Sequence, residues 1–229
     1  DVKVDHNAFD DVASALYVYA STAVAGPILF ERNLATRIRG PFPRGQLVQF
    51  NDVQGSGHKI RCNIDDETTP GFKDGPEDHV NMYKSSGTAS SPIEIAYNKL
   101  RGGGPSQSGG GILAGDDAPS GFIHAHHNIL VNPGQYGMSI AAGSNSKLTD
   151  NKVFGEKLAW SNVGMFVWLQ YSGGCSGHEV SGNRVNWTNR DGNANPWWDG
   201  GNCGAIAGLS TNTFGDPTIT AAIWNETFS

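Results

Sequence analysis

The sequence has few cysteines, few basic residues and no long apolar run. Its 229 residues include three cysteines, and 16 lysines and arginines stand against 22 acidic residues, for a formal net charge of −6. This acidic balance argues against a nucleic-acid partner. Because no stretch of about 18 apolar residues occurs, a membrane-spanning helix is excluded. Three cysteines are also too few for a disulfide scaffold.

Glycine is abundant instead, with 31 residues, roughly twice its average usage. The charged residues make up 17% and the hydrophobic residues 38% of the chain, which is typical of a loop-rich globular protein and not of a disordered one. A chain of this length fits one all-β domain. We therefore expect residues 1–229 to form a single domain with a sizeable core.

A short pattern recurs along the chain, in the form apolar-x-apolar-x-x-Asn-x-apolar. Spacings of 26, 30, 35, 30, 23 and 32 residues separate its asparagines, and a unit near 30 residues is typical of stacked repeats. Each copy has two or three alternating residues and then an asparagine that tolerates a left-handed turn, which predicts a strand and a corner. The seven asparagines in phase are Asn7, Asn33, Asn63, Asn98, Asn128, Asn151 and Asn183.

A second apolar stretch with a period of two follows in most repeats, so we predict two strands per repeat. Units of this size cannot bury an apolar face alone and stack into a solenoid, in which equivalent asparagines can hydrogen-bond along the axis. Strict alternation in the second strand gives the predicted core. Its members are Leu16, Val18, Val48, Phe50, Val80, Met82, Ile112, Ala114, Met138, Ile140, Met165 and Val167.

This repeat resembles the right-handed parallel β-helix repeat family, over roughly residues 1–190. The resemblance implies an all-β solenoid of about seven coils. The stretch 186–229, rich in Trp, Gly and Asn, is expected to form an irregular C-terminal cap. Because the first repeat begins at residue 2 without a capping helix, we expect the chain to be a piece of a longer, multi-domain protein. A β-sandwich with turn asparagines is the alternative.

The residues between the core positions are predicted to face solvent in two columns. Coils of a solenoid stack at about 4.8 Å, so the columns form a flat face of aromatic and amide side chains on which pyranose rings can stack and hydrogen-bond. One column is Tyr17, Gln49, Asn81, Leu113, Ser139 and Phe166, and the other is Tyr19, Asn51, Tyr83, Gly115, Ala141 and Trp168.

The C-terminal stretch adds Trp187, Trp197 and Trp198 in a segment of loop-like composition. We do not expect all three to be deeply buried there, and exposed tryptophan is typical of a contact surface. We include Trp197 and Trp198 in the predicted carbohydrate site, with one of the pair expected to anchor the cap.

Two acidic clusters are candidates for chemistry. Asp65 and Asp66 resemble the adjacent aspartates of polygalacturonases, although the other motifs of those enzymes are missing. Asp78 and Lys84 lie in DGPEDHVNMYKS, whose Asp74, Glu77 and His79 supply further groups that could hold calcium or serve a polysaccharide lyase. A surface ion pair between Asp78 and Lys84 is the structural alternative. We expect no cofactor, with calcium left open.

Histidines and cysteines offer two further possibilities. His124 and His126 alternate and would share one face of a strand, but two imidazoles make only half of a metal site, and no acid or cysteine nearby in sequence completes it. We therefore expect no metal there. Cys175 and Cys203 lie in similar glycine-rich surroundings, so they either pair or stay free, and Cys62 is expected to be a buried hydrophobic residue.

The chain also resembles the β-helical, xylan-binding carbohydrate-binding modules of family 89 in size and fold. This resemblance implies a secreted or cell-surface bacterial module of plant cell wall degradation, which binds xylan or a related β-glycan and is attached to a catalytic domain such as a glycoside hydrolase. The implied ligands are Tyr19, Tyr83 and Trp168, with Asn51, Asn81 and Gln49 donating or accepting hydrogen bonds. The alternatives are a lyase or hydrolase of an acidic glycan, which would use Asp65, Asp66, Asp78 and Lys84, and a structural solenoid.

Overall fold

The computed structural model describes residues 1–20, 26–39, 45–69 and 75–228. These residues form a parallel β-solenoid of seven coils, and each coil contributes one strand to each of three parallel sheets. One of these sheets gains an eighth strand after the last coil. The predicted all-β solenoid is confirmed. In the described residues, no helix is long and apolar enough to span a membrane.

Each coil has three strands and not the two predicted, because the asparagine motif spans a corner with a strand on either side. The first sheet contains Val2–Asp5, Ile28–Glu31, Lys59–Arg61, Ile93–Ala96, Ile123–His126, Lys147–Thr149 and Glu179–Ser181. The second sheet contains Ala8–Asp10, Leu34–Thr36, Ile64–Asp66, Lys99–Arg101, Ile129–Val131, Lys152–Gly155, Arg184–Trp187 and Thr213–Phe214. The third sheet contains Leu16–Tyr19, Val48–Asn51, Val80–Tyr83, Ile112–Asp116, Tyr136–Ile140, Val163–Val167 and Trp197–Asp199.

A small two-stranded sheet pairs Gly143–Ser144 with Cys175–Ser176. Two 3-10 helices, Leu209–Thr211 and Ala221–Asn225, follow the last coil. The core fills the space between the three sheets as predicted. The predicted core residues from Val48 to Val167 are fully buried, while Leu16 and Val18 in the first coil are half-buried and pack against that core.

The asparagine ladder is confirmed, and the structure extends it by an eighth rung. In each rung after Asn7, the side-chain oxygen accepts hydrogen bonds from the backbone N–H and the side-chain amide of the preceding asparagine. Asn98, for example, accepts from Asn63 at 3.0 and 2.9 Å, and its own amide donates to Asn128 Oδ1 at 2.9 Å and to the carbonyl of Ile60 at 2.9 Å. The last rung is Asn212, which accepts from Asn183.

The left-handed residue at this corner is not the asparagine but the residue before it. Its φ lies between +52° and +66° in every coil, whereas none of the seven asparagines has a positive φ. Cys62 occupies one such corner and is exposed, which corrects its predicted burial. The residues at this position are His6, Arg32, Cys62, Tyr97, His127, Asp150 and Gly182.

The C-terminal segment turns back across the outer surface of the second sheet as a strap, residues 216–228. Ile219 and Ile223 are buried against Ile129 and Val131. Further along, the ring of Trp224 lies 4.4 Å from the guanidinium carbon of Arg101. Further contacts hold the strap, among them Lys99 Nζ to Glu226 O, Lys152 to Glu226, Tyr97 to Phe228 and Arg184 to Asp216.

Candidate functional site

The outer surface of the third sheet carries the predicted aromatic and amide columns. The six members of the first column are paired from coil to coil as predicted, and Trp198 continues the column. Its three middle members, Asn81, Leu113 and Ser139, are buried, which corrects their predicted exposure to solvent. The second column breaks in the fourth coil, where Tyr83 pairs with Asp116 and not with Gly115. A bulge between Leu113 and Asp116 causes this shift, and Gly115 takes a φ of +110° within it.

The first two coils present the most exposed part of this surface. Tyr17 and Tyr19 are 44% and 62% exposed. Asn51 donates a hydrogen bond from its side-chain amide to the hydroxyl of Tyr17 at 2.8 Å, and Gln49 lies half-buried beside them. These four predicted residues therefore form one exposed aromatic and amide patch.

A cleft of about 210 Å³ lies at the other end of the same surface. Four aromatic rings line it, with centroids 5.3 Å apart for Tyr136 and Phe166, 6.2 Å for Phe166 and Trp198, and 5.6 Å for Trp168 and Trp198. The predicted residues Phe166, Trp168 and Trp198 thus lie together. The remaining lining residues are Gln107, Ser108, Leu113, Gln135, Asn162, Val163 and Gln170.

The four amide side chains of this cleft were missed from the sequence. Asn162 donates to the side-chain oxygen of Gln135 at 3.2 Å, and Gln135 donates to the carbonyl of Gln107. Gln135 and Asn162 directly precede the paired positions Tyr136 and Val163, so they lie in phase in successive coils. This shared phase could have identified Gln135 and Asn162 from the sequence, but both residues lie outside the strands that the prediction used.

The adjacent tryptophans of the cap point to opposite sides. Trp198 is 44% exposed and lines the cleft, whereas the ring of Trp197 stacks on Phe214 at 5.1 Å and packs against the core. Because both lie on one strand, alternation separates them. Trp197 is therefore the anchor of the pair, which corrects its place in the predicted site. Trp187 is buried in a strand of the second sheet.

The centre of the surface is acidic and mostly buried. The amide of Asn81 donates to Asp78 at 2.8 Å and to Asp116 at 3.2 Å, and Asp78 also accepts from the hydroxyl of Tyr136 and from the backbone of Gly110. Burial raises the pKa of Asp78 to about 7 and raises that of Asp116. Asn81 is therefore occupied within the protein and is not exposed for a ligand as predicted.

Lys84 lies at the edge of this acidic centre. Its ammonium is 3.4 Å from Asp117 and 5.1 Å from the centroid of the Tyr83 ring, and the hydroxyl of Tyr83 donates to Asp117 at 3.4 Å. The expected surface ion pair between Asp78 and Lys84 is therefore wrong, because Asp78 is buried with Tyr136. Tyr83 itself is half-buried.

The adjacent aspartates Asp65 and Asp66 do not form a catalytic pair, because alternation turns them to opposite sides of their strand. Asp65 is fully buried with its carboxylate 2.6 Å from His79 Nδ1, and Asp66 forms an ion pair with Arg101 on the outside. Burial raises the pKa of Asp65 to about 7 and that of the neighbouring Glu67 to about 9, and lowers the pKa of His79.

The calcium ligands considered for the segment 74–84 are likewise dispersed. Asp78 belongs to the acidic centre of the third sheet, whereas His79 is buried against Asp65. Asp74 lies outside the described residues. The candidate enzyme residues Asp65, Asp66, Asp78 and Lys84 therefore belong to separate clusters.

Cys175 and Cys203 form a disulfide, which decides between the two alternatives. With His178 they make the cluster of potential metal ligands found in the described part of the chain. Since both sulfur atoms are used in the disulfide, no thiolate is left to bind a metal in this state.

Comparison with protein-family models, curated proteins and solved structures finds no match to this chain.

Proposed function

We propose that this solenoid is a non-catalytic carbohydrate-binding module that binds a plant β-glycan, with xylan as the expected ligand, as part of a secreted or cell-surface protein. The observation that carries the proposal is the cleft in which Tyr136, Phe166, Trp168 and Trp198 stand beside four amide side chains. A pyranose offers an apolar face for stacking and hydroxyls for amide hydrogen bonds. This residue mixture matches both demands.

The shape of the surface supports a chain-like ligand. The cleft is smaller than the ~300–1,000 Å³ of drug-sized pockets, which suits a short part of a polymer. The tyrosine patch of Tyr17 and Tyr19 lies six coils from Trp198, or about 29 Å at ~4.8 Å per coil, and offers a second contact for a long chain. Such an open surface predicts weak binding, with Kd roughly 10⁻³–10⁻⁵ M.

The charge of the surface favours a neutral glycan. Asp78, Asp116 and Asp117 lie between the cleft and the tyrosine patch, and Lys84 is already paired with Asp117. Burial and raised pKa values reduce the charge that Asp78 and Asp116 carry, but the chain as a whole has a net charge of −6, and a uronate-rich glycan would add further carboxylates, which is unfavourable. The structure thus gives less support to an acidic glycan, the substrate class of the enzyme alternative.

Affinity electrophoresis tests the proposal, with gels containing xylan, mixed-linkage β-glucan, pectin or alginate. We expect xylan to retard the wild-type protein, and Trp198→Ala and Trp168→Ala to remove most of the retardation. Trp224→Ala is the matched control, because this tryptophan lies on the second sheet, and it should migrate like the wild type. If no gel retards the protein, or if the cleft variants behave like the control, the proposal is wrong.

Hydrolysis of a glycan is the second candidate function, and the acidic centre is its support. Two carboxyls with raised pKa, Asp78 and Asp116, are bridged by Asn81 beside Tyr136, and a raised pKa is needed by a general acid at neutral pH. Asp78 is 2% exposed behind Tyr136, so a sugar reaches it only if that ring moves. New reducing ends in any of the four gels, lost in Asp78→Asn, would establish this function and replace the binding module.

A further inference from the structure

The histidine pair of the first sheet gains an acidic neighbour in the structure. His124 and His126 project from the outer surface of their strand with ring centroids 4.4 Å apart. On the adjacent strand, Glu94 is the register partner of His124, and its Oε1 lies 3.5 Å from Nε2 of His126. The acid absent from the nearby sequence is therefore supplied from 30 residues upstream.

These distances suit a tetrahedral metal ion. Zinc binds imidazole nitrogen at 2.0–2.1 Å and carboxylate oxygen at 2.0–2.2 Å, so two ligand atoms on one tetrahedral ion are roughly 3.3–3.5 Å apart. The separation of 3.5 Å between Glu94 and His126 lies in that range. Two imidazoles and one carboxylate are also a ligand set that zinc accepts when a fourth position stays open.

Each imidazole has a partner on the ring nitrogen turned away from this centre. Nε2 of His124 is 2.9 Å from Oγ1 of Thr149, and Nδ1 of His126 is 3.0 Å from Nδ1 of His127. Outer hydrogen bonds of this kind orient metal-binding histidines and fix their tautomers. They leave Nδ1 of His124 and Nε2 of His126 as the two nitrogen ligands.

A cavity of about 250 Å³ adjoins Glu94, His124 and His126 and gives access to the open position. Lys59 and Arg61 lie 3.6 and 3.7 Å from Glu94, and Arg61 retains Glu31 as a partner when Glu94 turns towards an ion. Lys147, the register partner of His124, is paired with Glu179. We propose that Glu94, His124 and His126 form a binding site for a divalent transition metal such as Zn²⁺, with a fourth coordination position open to this cavity.

Binding one ion requires the ligand atoms of Glu94, His124 and His126 to move closer together. Among the described residues, the potential ligand atoms of Cys175, His178 and Cys203 already lie within 4.8 Å of one another, whereas those of the proposed site do not. The side chains of His124 and Glu94 are half-buried and outward, so they are able to rotate towards the ion without any change in the core. Glu94 would exchange its contacts with Lys59 and Arg61 for the metal.

Titration calorimetry with ZnCl₂ on the oxidised, chelator-treated protein tests the proposal. We expect one ion per chain, and a visible absorption spectrum of tetrahedral cobalt when CoCl₂ replaces zinc. Glu94→Gln and His126→Gln should each weaken binding at least about 10-fold. His6→Gln, which replaces an exposed histidine of the first coil, is the matched control. His178→Gln tests whether zinc binds instead at the cluster of Cys175, His178 and Cys203. Both variants should bind zinc like the wild type.

Circular dichroism checks that each variant is folded, which is expected for Glu94→Gln, His126→Gln and His6→Gln because these three side chains lie outside the core. His178 is buried, so His178→Gln serves as a control only when its spectrum matches that of the wild type. Absence of zinc binding at submillimolar concentration would overturn the proposal. Equal affinity of Glu94→Gln, His126→Gln and His6→Gln would also overturn it, since the ion would then bind elsewhere.

Discussion

Replacing the central rung of the asparagine ladder, Asn98→Ala, should destabilise the solenoid far more than an ordinary polar substitution. Asn98 is fully buried and makes four side-chain hydrogen bonds. Its loss leaves the backbone N–H of Asn63 buried without a partner, at about 1–3 kcal/mol, and removes three more bonds worth about 0.5–1.5 kcal/mol each. We therefore expect the free energy of unfolding to fall by about 2.5–7.5 kcal/mol.

Urea unfolding followed by circular dichroism measures this loss, with a lowered midpoint at an unchanged m-value as the expected result. The matched control is Asn7→Ala at the end of the ladder, where the side chain only donates, to Asn33 and to the carbonyl of Asp5, in a partly exposed setting. That variant should lose no more than about 1 kcal/mol. Equal losses in the two variants would refute the idea that the buried ladder stabilises the fold.

Two further predictions concern stability. Because burial raises the pKa values of Asp65 to about 7 and of Glu67 to about 9, the folded protein retains protons that the unfolded chain releases above about pH 4. The buried histidines His58, His79 and His178 have lowered pKa values and act in the opposite direction below about pH 7. The free energy of unfolding should therefore fall as the pH rises from 7 to 9, and urea midpoints should show a smaller fall in Glu67→Gln; equal slopes would contradict this. The disulfide between Cys175 and Cys203 closes a loop with a sequence separation of 28, so its reduction should lower the free energy of unfolding by about 3–4 kcal/mol. Urea unfolding with and without reductant measures this loss. Coincident curves would show that the bond contributes nothing to stability.

The sequence predicted the solenoid, its core and one outer column because these features repeat with a fixed phase. The corner asparagines align all coils, and alternation then assigns inner and outer residues. A local bulge carries no such periodic signal, so the pairing of Tyr83 with Asp116 was missed. The inward orientation of Trp197 was missed for a related reason, since its strand follows an irregular segment that hides the phase.

Partners that are far apart along the chain were also beyond local patterns. Glu94 meets His126, and Asp65 meets His79, only because neighbouring coils stack in one register. Such a contact follows from the number of residues in each turn of the solenoid, and this number varies with the loops. The sequence therefore indicated which residue types carry chemistry, while the register determines which of them meet.

The C-terminal strap has a consequence for how the solenoid comes apart. Stacked repeats normally lose their end units one at a time, because each unit contacts only its neighbours. Here Trp224 and Glu226 join the last turn to the turn that contains Lys99, so the C-terminal turns separate only after the strap lifts. Opening should start at the N-terminal end, and hydrogen exchange should be fastest around Val2 and slowest beneath the strap.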